Sequence, residues 1–430
     1  MTTSTALLTD HYELTMLQAA LRSGAAHRRC VFEAFTRRLP EGRRYAVLAG
    51  TGRLLSALGD FRFGEAEVDD LRSRRVVDDA TCDWLASYRF TGDISGYAEG
   101  ECYFPGSPVL VVEGSFAEAV VLETLVLSIL NHDSAIASAA SRMTTAAGTR
   151  PCLEMGSRRT HEWAAVAAAR AAYVAGFAGT SNLEAGRAFG VPTTGTSAHS
   201  FTLLYDTERE AFQSQLSALG VGTTLLVDTY DVAEAVRMAV EFAGPTLGAV
   251  RLDSGDLLVQ AREVRAQLDS LGASGTRIIV TSDLDEYAIA SLAVAPVDGY
   301  GVGTALVTGS GHPTSSMVYK LVARQGATGR LEPVAKKSRD KHSIGGRKWA
   351  MRRLGPDGRA EAEVVGIGER ATADGNDRPL MVELVRDGEV IERCDLHEAR
   401  ARHERSREEL PRTALQLQRG KPCIPTIQVG

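Results

Sequence analysis

Several short segments of this 430-residue chain gather residue types able to act on anionic or hydroxylated ligands. VRLDSGDL places Arg251, Asp253, Ser254, Gly255 and Asp256 within six positions. Gly255 allows a tight turn, and an Asp pair beside an arginine suits a sugar hydroxyl, a magnesium ion or an anion. The competing reading is a helix N-cap, with Ser254 or Asp253 opening LLVQAREV; local chemistry weighs the two about evenly. Similar acidic turns at VDTYD (Asp228, Tyr230, Asp231) and TSDLDE (Ser282, Asp283, Asp285) tip the balance toward a site.

Three further segments add to that inventory. GYGVGTALVT carries Gly299, Gly301, Gly303 and Thr304, and backbone N–H groups exposed there, ahead of a helix, would hold a phosphate. Half of such runs are simply tight turns. GSRRTH sets Arg158 and Arg159 after Gly156, a pair suited to an anion or, more ordinarily, to solvent. In GVPTTGTSAHSF, Pro192 and Gly195 frame Thr194, Thr196, Ser197 and His199 in a polar loop. A histidine there serves as a general base, a metal ligand or a nucleophile toward phosphorus, or simply packs with its own hydrogen-bond partner. No His, Cys or carboxylate lies at metal-ligand spacing around it, so no metal-ligating residue is assigned.

The familiar nucleotide and hydrolase signatures are missing. GxxxxGK[ST] does not occur, GYGVGTAL lacks the strand–GxGxxG–helix context, and neither GxSxG nor HExxH is found.

These residues need elements to hold them. From 116 to 330, strand-like runs alternate with helical ones: VGTTLLVD before VAEAVRMAVEFA, LGAVRLDSGD before LLVQAREVRAQLDSLG, RIIVTSDLDE before YAIASLAVA. That repeat of about 30 residues is the signature of parallel βαβ units. Active sites of such sheets form at the carboxyl ends of their strands, where the Asp, Thr, Ser and Gly clusters fall. ETLVLSILNHDSAIASAASRMTTAAG reads as a long, closely packed alanine-rich helix. Ahead of it, LTDHYELTMLQAAL reads as a helix capped by Thr9 or Asp10, and CVFEAFTRRL and VLVVEGSF as strands. The last hundred residues are polar and basic, with KKSRDKHSIGGRKWAMRR, short strands such as LMVELVRDGEVI, and the charged helix HEARARHERSREEL.

Composition sets outer bounds. The chain is 24% charged and 44% hydrophobic with a net charge of −6. That composition suits a globular protein and argues against a nucleic-acid binder, which usually shows a strongly basic face. Only six of the 48 basic residues are lysine, the rest being arginine. The six cysteines lie far apart without a CxxC pair, which excludes the usual zinc and disulfide frameworks. No run of about 18 apolar residues suggests a membrane span, and Asp10 and Glu13 fall where a signal peptide would be apolar. The expectation is a cytoplasmic protein without a membrane or nucleic-acid partner.

In order, LLTDHYELTM, GSRRTH, GTSN, GTSAHSF, LVDTYD, VRLDSGDL, TSDLDE, GVGTALVT, VYKLV and KKSRDKHSIGGRK resemble the successive blocks of the nicotinate phosphoribosyltransferase family, from about residue 7 to residue 350. No single block decides it; the ordered set is highly specific. The resemblance implies an α/β fold. It would be an incomplete parallel α/β barrel (type II phosphoribosyltransferase-like) over 120–330, with a smaller α/β sandwich from 1–119 to which 331–430 returns. It also implies that nicotinate and 5-phosphoribosyl 1-diphosphate become nicotinate mononucleotide and diphosphate in NAD salvage. ATP would be a co-substrate and Mg2+ a cofactor.

Residue by residue, His199 matches the histidine that ATP phosphorylates. Tyr12 and Thr196 match positions that bind nicotinate, and Arg251 an arginine on nicotinate or the nucleotide phosphate. Gly303 and Thr304 match the phosphoribosyl-diphosphate contact in GVGT, with Arg158 in the same pocket and Asp253 a nearby acid. Family members pair so that the tyrosine matched by Tyr12 comes from the neighbouring subunit, which implies a homodimer. One departure is Met155, where relatives often carry an aromatic residue. Three competing classes stay open: a nicotinamide-using relative, a magnesium-dependent α/β-barrel enzyme of aldolase type, and a sugar-phosphate-binding protein without turnover. The aldolase reading lacks a Schiff-base lysine, because every lysine lies at or after position 320.

Overall fold

A computed structural model describes residues 4–336, 344–368, 375–392 and 394–429. The chain divides into two compact units, Met1–Ser138 with His312–Gly430, and Ala139–Gly311.

The second unit is built on six parallel strands. In sheet order they are Gly179–Thr180, Cys152–Glu154, Gly299–Val302, Arg277–Val280, Ala249–Leu252 and Thr224–Leu226. The two edge strands do not pair with each other, so the sheet curls into a half-barrel rather than closing. Its strands are the short apolar runs that a sheet covered on both faces requires, with Val250, Leu252, Ile278, Val280 and Val302 buried. The helices between strands start on residues written into the sequence. Asn182, Thr207, Asp231, Asp256 and Asp285 each accept a backbone N–H of the helix that follows. The cap after VRLDSGDL is therefore Asp256, which leaves Asp253 and Ser254 for other work.

The first unit carries a seven-stranded antiparallel sheet around Arg29–Thr36, which lies between Met317–Gln325 and Leu110–Ser115. A four-stranded sheet pairs Lys348–Leu354 with Ala360–Ile367. This unit holds the larger share of the chain, not the smaller share expected. The strand Met317–Gln325, inside the 120–330 span expected for the barrel, pairs with Arg29–Thr36 in this unit. The two units divide within the helix Glu123–Ala147 and at 311/312, rather than at 119/120 and 330/331. Met381–Arg386 pairs with Asp93–Tyr97, so distant parts of the chain share one sheet. In its interior Arg352 and Glu363, both fully buried, form an ion pair of 3.0 Å. Tyr97 Oη donates to the same carboxylate at 2.6 Å.

The helical stretch Phe116–Ala147 is long and apolar enough to cross a membrane by length and composition, yet 67% of its most apolar window is buried inside the protein. No unbroken apolar run marks it in the sequence, because Asn131, His132, Asp133 and Arg142 interrupt it along with serines and threonines. The KKSRDKHSIGGRK block lies in part outside the described residues, since 337–343 are not among them.

Candidate active site

The carboxyl ends of five of the parallel strands, with Thr224 of the sixth, line an open cavity of about 770 Å³. Segments that the sequence spreads over 150 positions meet there: Met155, Ser157, Arg158 and Arg159; Ser181; Thr194 to Ala198; Arg251 and Asp253; Thr281 to Asp283; Gly303 and Thr304. Each strand ends in a polar turn because the apolar run stops where the sheet opens to solvent, which is why one cavity collects them.

Arg251 lies on the cavity side of the Ala249–Leu252 strand and donates to Thr196 Oγ1 at 2.9 Å. Its Nε is buried without a hydrogen-bond partner among the described residues. Burial pulls this guanidinium's pKa down, Asp253 and Asp228 raise it, and the charge of Arg158 lowers it further. Two guanidiniums close enough to repel, one with an unused donor, make a place for an anion.

His199 opens the four-residue helix His199–Thr202 rather than sitting in a loop. Its Nδ1 meets Thr229 Oγ1 at 3.1 Å. Its Nε2 stands 3.9 Å from Asp228 Oδ1 and 3.8 Å from Asp253 Oδ2. The Asp228 side chain is only 2% exposed. Its Oδ2 accepts from the backbone N–H of Asp253 at 2.8 Å and from Ser254 Oγ at 2.7 Å, while Oδ1 has no hydrogen-bond partner. Asp253 is held in turn by the Thr281 hydroxyl. A ring gripped at Nδ1, with carboxylates near but not bonded to Nε2, leaves that nitrogen's lone pair for an electrophile and stabilises positive charge on the ring afterwards.

Expectation and structure part in two places, the second carboxylate and the glycine run. The carboxylate that joins Asp253 is Asp228 from the neighbouring strand end, not Asp256, which caps a helix. Gly299 and Gly301 lie inside a strand, and of the glycine run Gly301 and Gly303 line the cavity with Thr304 while Gly299 does not. A side chain at Gly301 would meet the Thr281 methyl at 2.5 Å and Met155 Sδ at 2.7 Å, so this glycine makes room for the cavity floor. Tyr12 belongs to the other unit, on the helix His11–Ser23, 46% exposed and outside the cavity lining. Burial, then Glu123, Glu13 and Asp10, push its phenol well above the usual range.

Four contributors escaped the sequence reading: Thr229, Thr281, Ser181 and Glu154. The first two follow the apolar runs LLVD and RIIV directly, a position that marks them once the strands are assigned. Glu154 is fully buried at the end of CLE, its carboxyl pushed up by burial against hydrogen bonds from Thr180 and Gly156. A carboxylate inside an apolar strand was its signal. Ser282, at the rim, holds a φ of 121°, a costly conformation for a residue other than glycine.

The sequence matches two family models: the N-terminal domain of nicotinate phosphoribosyltransferase (NAPRTase) over residues 7–131, and the NAPRTase family over residues 151–343. The chain belongs to the nicotinate phosphoribosyltransferase family. It is 57% identical to nicotinate phosphoribosyltransferase pncB1 of Mycobacterium tuberculosis over 429 residues, 98% of this chain and 94% of that one. The Bacillus subtilis nicotinate phosphoribosyltransferase is 36% identical over 330 residues, 74% of this chain and 67% of the relative. The crystal structure of the human nicotinic acid phosphoribosyltransferase superposes with a TM-score of 0.84 at 27% identity, covering 98% of this chain and 97% of that one. The curled parallel half-barrel with additional sheets is thus the type II phosphoribosyltransferase fold.

Proposed function

We propose that this cavity joins nicotinate to 5-phosphoribosyl 1-diphosphate, releasing diphosphate and nicotinate mononucleotide for NAD salvage. The observation that carries the reading is the half-buried Arg251, bonded to Thr196 and with its buried Nε free, lining a cavity whose other cations are Arg158 and Arg159. A cation there favours the carboxylate of nicotinate over the neutral amide of nicotinamide, and Thr196 supplies the neighbouring hydroxyl.

Bond exchange at the ribose passes through an oxocarbenium-like centre, so the site must align two anions and take up the charge of the departing diphosphate. Gly303, Thr304 and Arg158 grip the phosphates, and Asp253 faces the ribose. Tyr12 completes the base site from a neighbouring subunit, in a homodimer. A magnesium ion fits the oxygen donors present. Asp228 keeps a buried, unpartnered oxygen and Asp253 faces the cavity, and Mg2+ binds through one or two carboxylates with substrate phosphates. Bound there, it supplies neutralisation of the diphosphate charge. ATP acts on His199: Nε2 attacks the terminal phosphorus, the bond to ADP breaks, and Asp228 and Asp253 stabilise the charged ring. The phosphorylated imidazole then drives synthesis forward. The fold suits work in the cytoplasm.

The test mixes the protein with nicotinate or nicotinamide at matched phosphoribosyl diphosphate and follows diphosphate release. Nicotinate turnover is expected, stimulated by ATP in the wild type and not in His199→Ala. Absence of release, or a clear nicotinamide preference, refutes the reading.

A further inference from the structure

The buried Glu154 carboxylate belongs to a closed ring of polar groups behind the cavity wall. Gly156 donates its backbone N–H, and Thr180 its hydroxyl, to the two oxygens of Glu154. Thr180 Oγ1 accepts the backbone N–H of Asn182 at 2.9 Å. Asn182 Nδ2 reaches back to Ser157 Oγ at 3.0 Å, in the turn where the ring began. That turn is closed by Arg159 N–H on Gly156 O at 2.8 Å. A backbone bond from Ser181 N–H to Glu154 O, 2.9 Å, lashes the second turn to the same residue. Ser157, Arg158, Arg159 and Ser181 all line the cavity, while Glu154 and Thr180 are fully buried and touch none of its space.

We infer that Glu154 and Thr180 are positioning residues: through Gly156 and Asn182 they hold the Arg158 turn and the Ser181 turn in one fixed arrangement for the anionic substrate. Without the side-chain ring, the two strand ends are tied only by the short ladder between them and by the Ser181 N–H to Glu154 O bond, which leaves the turns beyond them free to shift. A single carboxylate accepting from both ties them together, and a fixed pair of cavity walls binds an anion without first being ordered. An amide at 154 replaces this only in part. With its one oxygen accepting from Gly156, its NH2 must donate to Thr180 Oγ1, and the Thr180 proton loses the acceptor it has now. Space decides the direction of the turn as well. A side chain at Gly156 would meet Val307 Cγ1 at 2.3 Å, so the backbone must pass close to the helix after Thr304.

This inference rests on the proposed reaction, and the experiment separates the two. Steady-state constants are measured for wild type, Glu154→Gln, Thr180→Val and Thr180→Ser, with calorimetric titration of pyrophosphate into each. Loss of one buried hydrogen bond in the ring should raise KM for phosphoribosyl diphosphate, and the pyrophosphate Kd, about tenfold in Glu154→Gln and Thr180→Val. Their kcat should stay within about twofold of wild type, since nothing that touches the reacting atoms has changed. Thr180→Ser keeps the hydroxyl and should match wild type. The double variant Glu154→Gln/Thr180→Val should be no worse than the weaker single one, because both break the same ring. Thr180→Val, a near-isostere, carries the test if Glu154→Gln does not fold. Unchanged KM and Kd in Thr180→Val overturn the inference, as does a fall in kcat alone, the mark of a merely structural loss. If the wild type makes no nicotinate mononucleotide, the reaction is wrong, and the pyrophosphate titrations still read the ring by themselves.

Discussion

Asp228→Asn isolates the charge behind His199 from the packing around it. The amide keeps one oxygen to accept from Asp253 N–H and Ser254 Oγ, now at 2.8 and 2.7 Å, so the turn has its bonds. What disappears is a negative charge 3.9 Å from Nε2. At that separation two unit charges interact by about 1 kcal/mol in bulk water and about 4 kcal/mol at an effective dielectric near 20. His199 is 39% exposed, which places the effect between these limits. About 2 kcal/mol corresponds to a roughly thirtyfold slower phosphorylation of the ring. Thr229→Val removes one neutral hydrogen bond from a half-exposed nitrogen, which water can replace, and should slow the same step only about two- to tenfold. The assay follows transfer of terminal phosphate from labelled ATP under rapid quench, with a mass spectrum to place the acid-labile label. Phosphorylation of Asp228→Asn at the wild-type rate refutes the electrostatic argument. A label on any side chain other than His199 refutes the assignment beneath it.

Two further outcomes concern stability. Arg352→Met leaves Glu363 buried without its counter-charge, which costs about 3–5 kcal/mol and should lower Tm by roughly 10 °C. Adding Glu363→Gln should restore part of that loss, and a double variant no more stable than the single one contradicts the ion-pair account. His403 is fully buried, its pKa pulled down to about 3 by burial, with Arg407 and Arg400 opposing its protonation and Glu101 and a bond to Gly100 favouring it. A depressed folded-state pKa means its stability is intact above the ordinary histidine value of 6.5 and is lost as pH falls toward 3. Between pH 6.5 and pH 5 wild type should therefore lose about 1.6 kcal/mol more than His403→Gln in denaturant titrations. Parallel pH profiles for the two proteins contradict it.

The blocks that carry the chemistry were legible because each follows a parallel strand, and such strands announce themselves as short apolar runs ending in Asp, Thr, Ser or Gly. Arg251, Asp253, Arg158, Thr196, Gly303 and Thr304 all reach one cavity for that reason. The choice between Asp253 and Asp256 was not legible. Both stand at the same helix start, and only the backbone path decided that Asp256 accepts from Val259 while Asp253 turns inward. Glu154 showed in the sequence only as a carboxylate inside an apolar strand. Its partner Thr180 lies on a different strand end, and no local spacing rule links them.

By itself, then, the chain determines its periodicity: apolar runs of strand length alternating with capped helices, which commit residues 151–304 to a parallel sheet with polar ends. Local sequence cannot determine which ends become neighbours, because sheet order follows from burial of whole elements against one another. That is why Asp228 stands behind His199, why Gly301 yields its volume to Met155 and Thr281, and why Met317–Gln325 joins an antiparallel sheet with Arg29–Thr36. Pairings between residues far apart in sequence are settled only when burying both faces of the sheet outweighs the entropy of closing the loops between them.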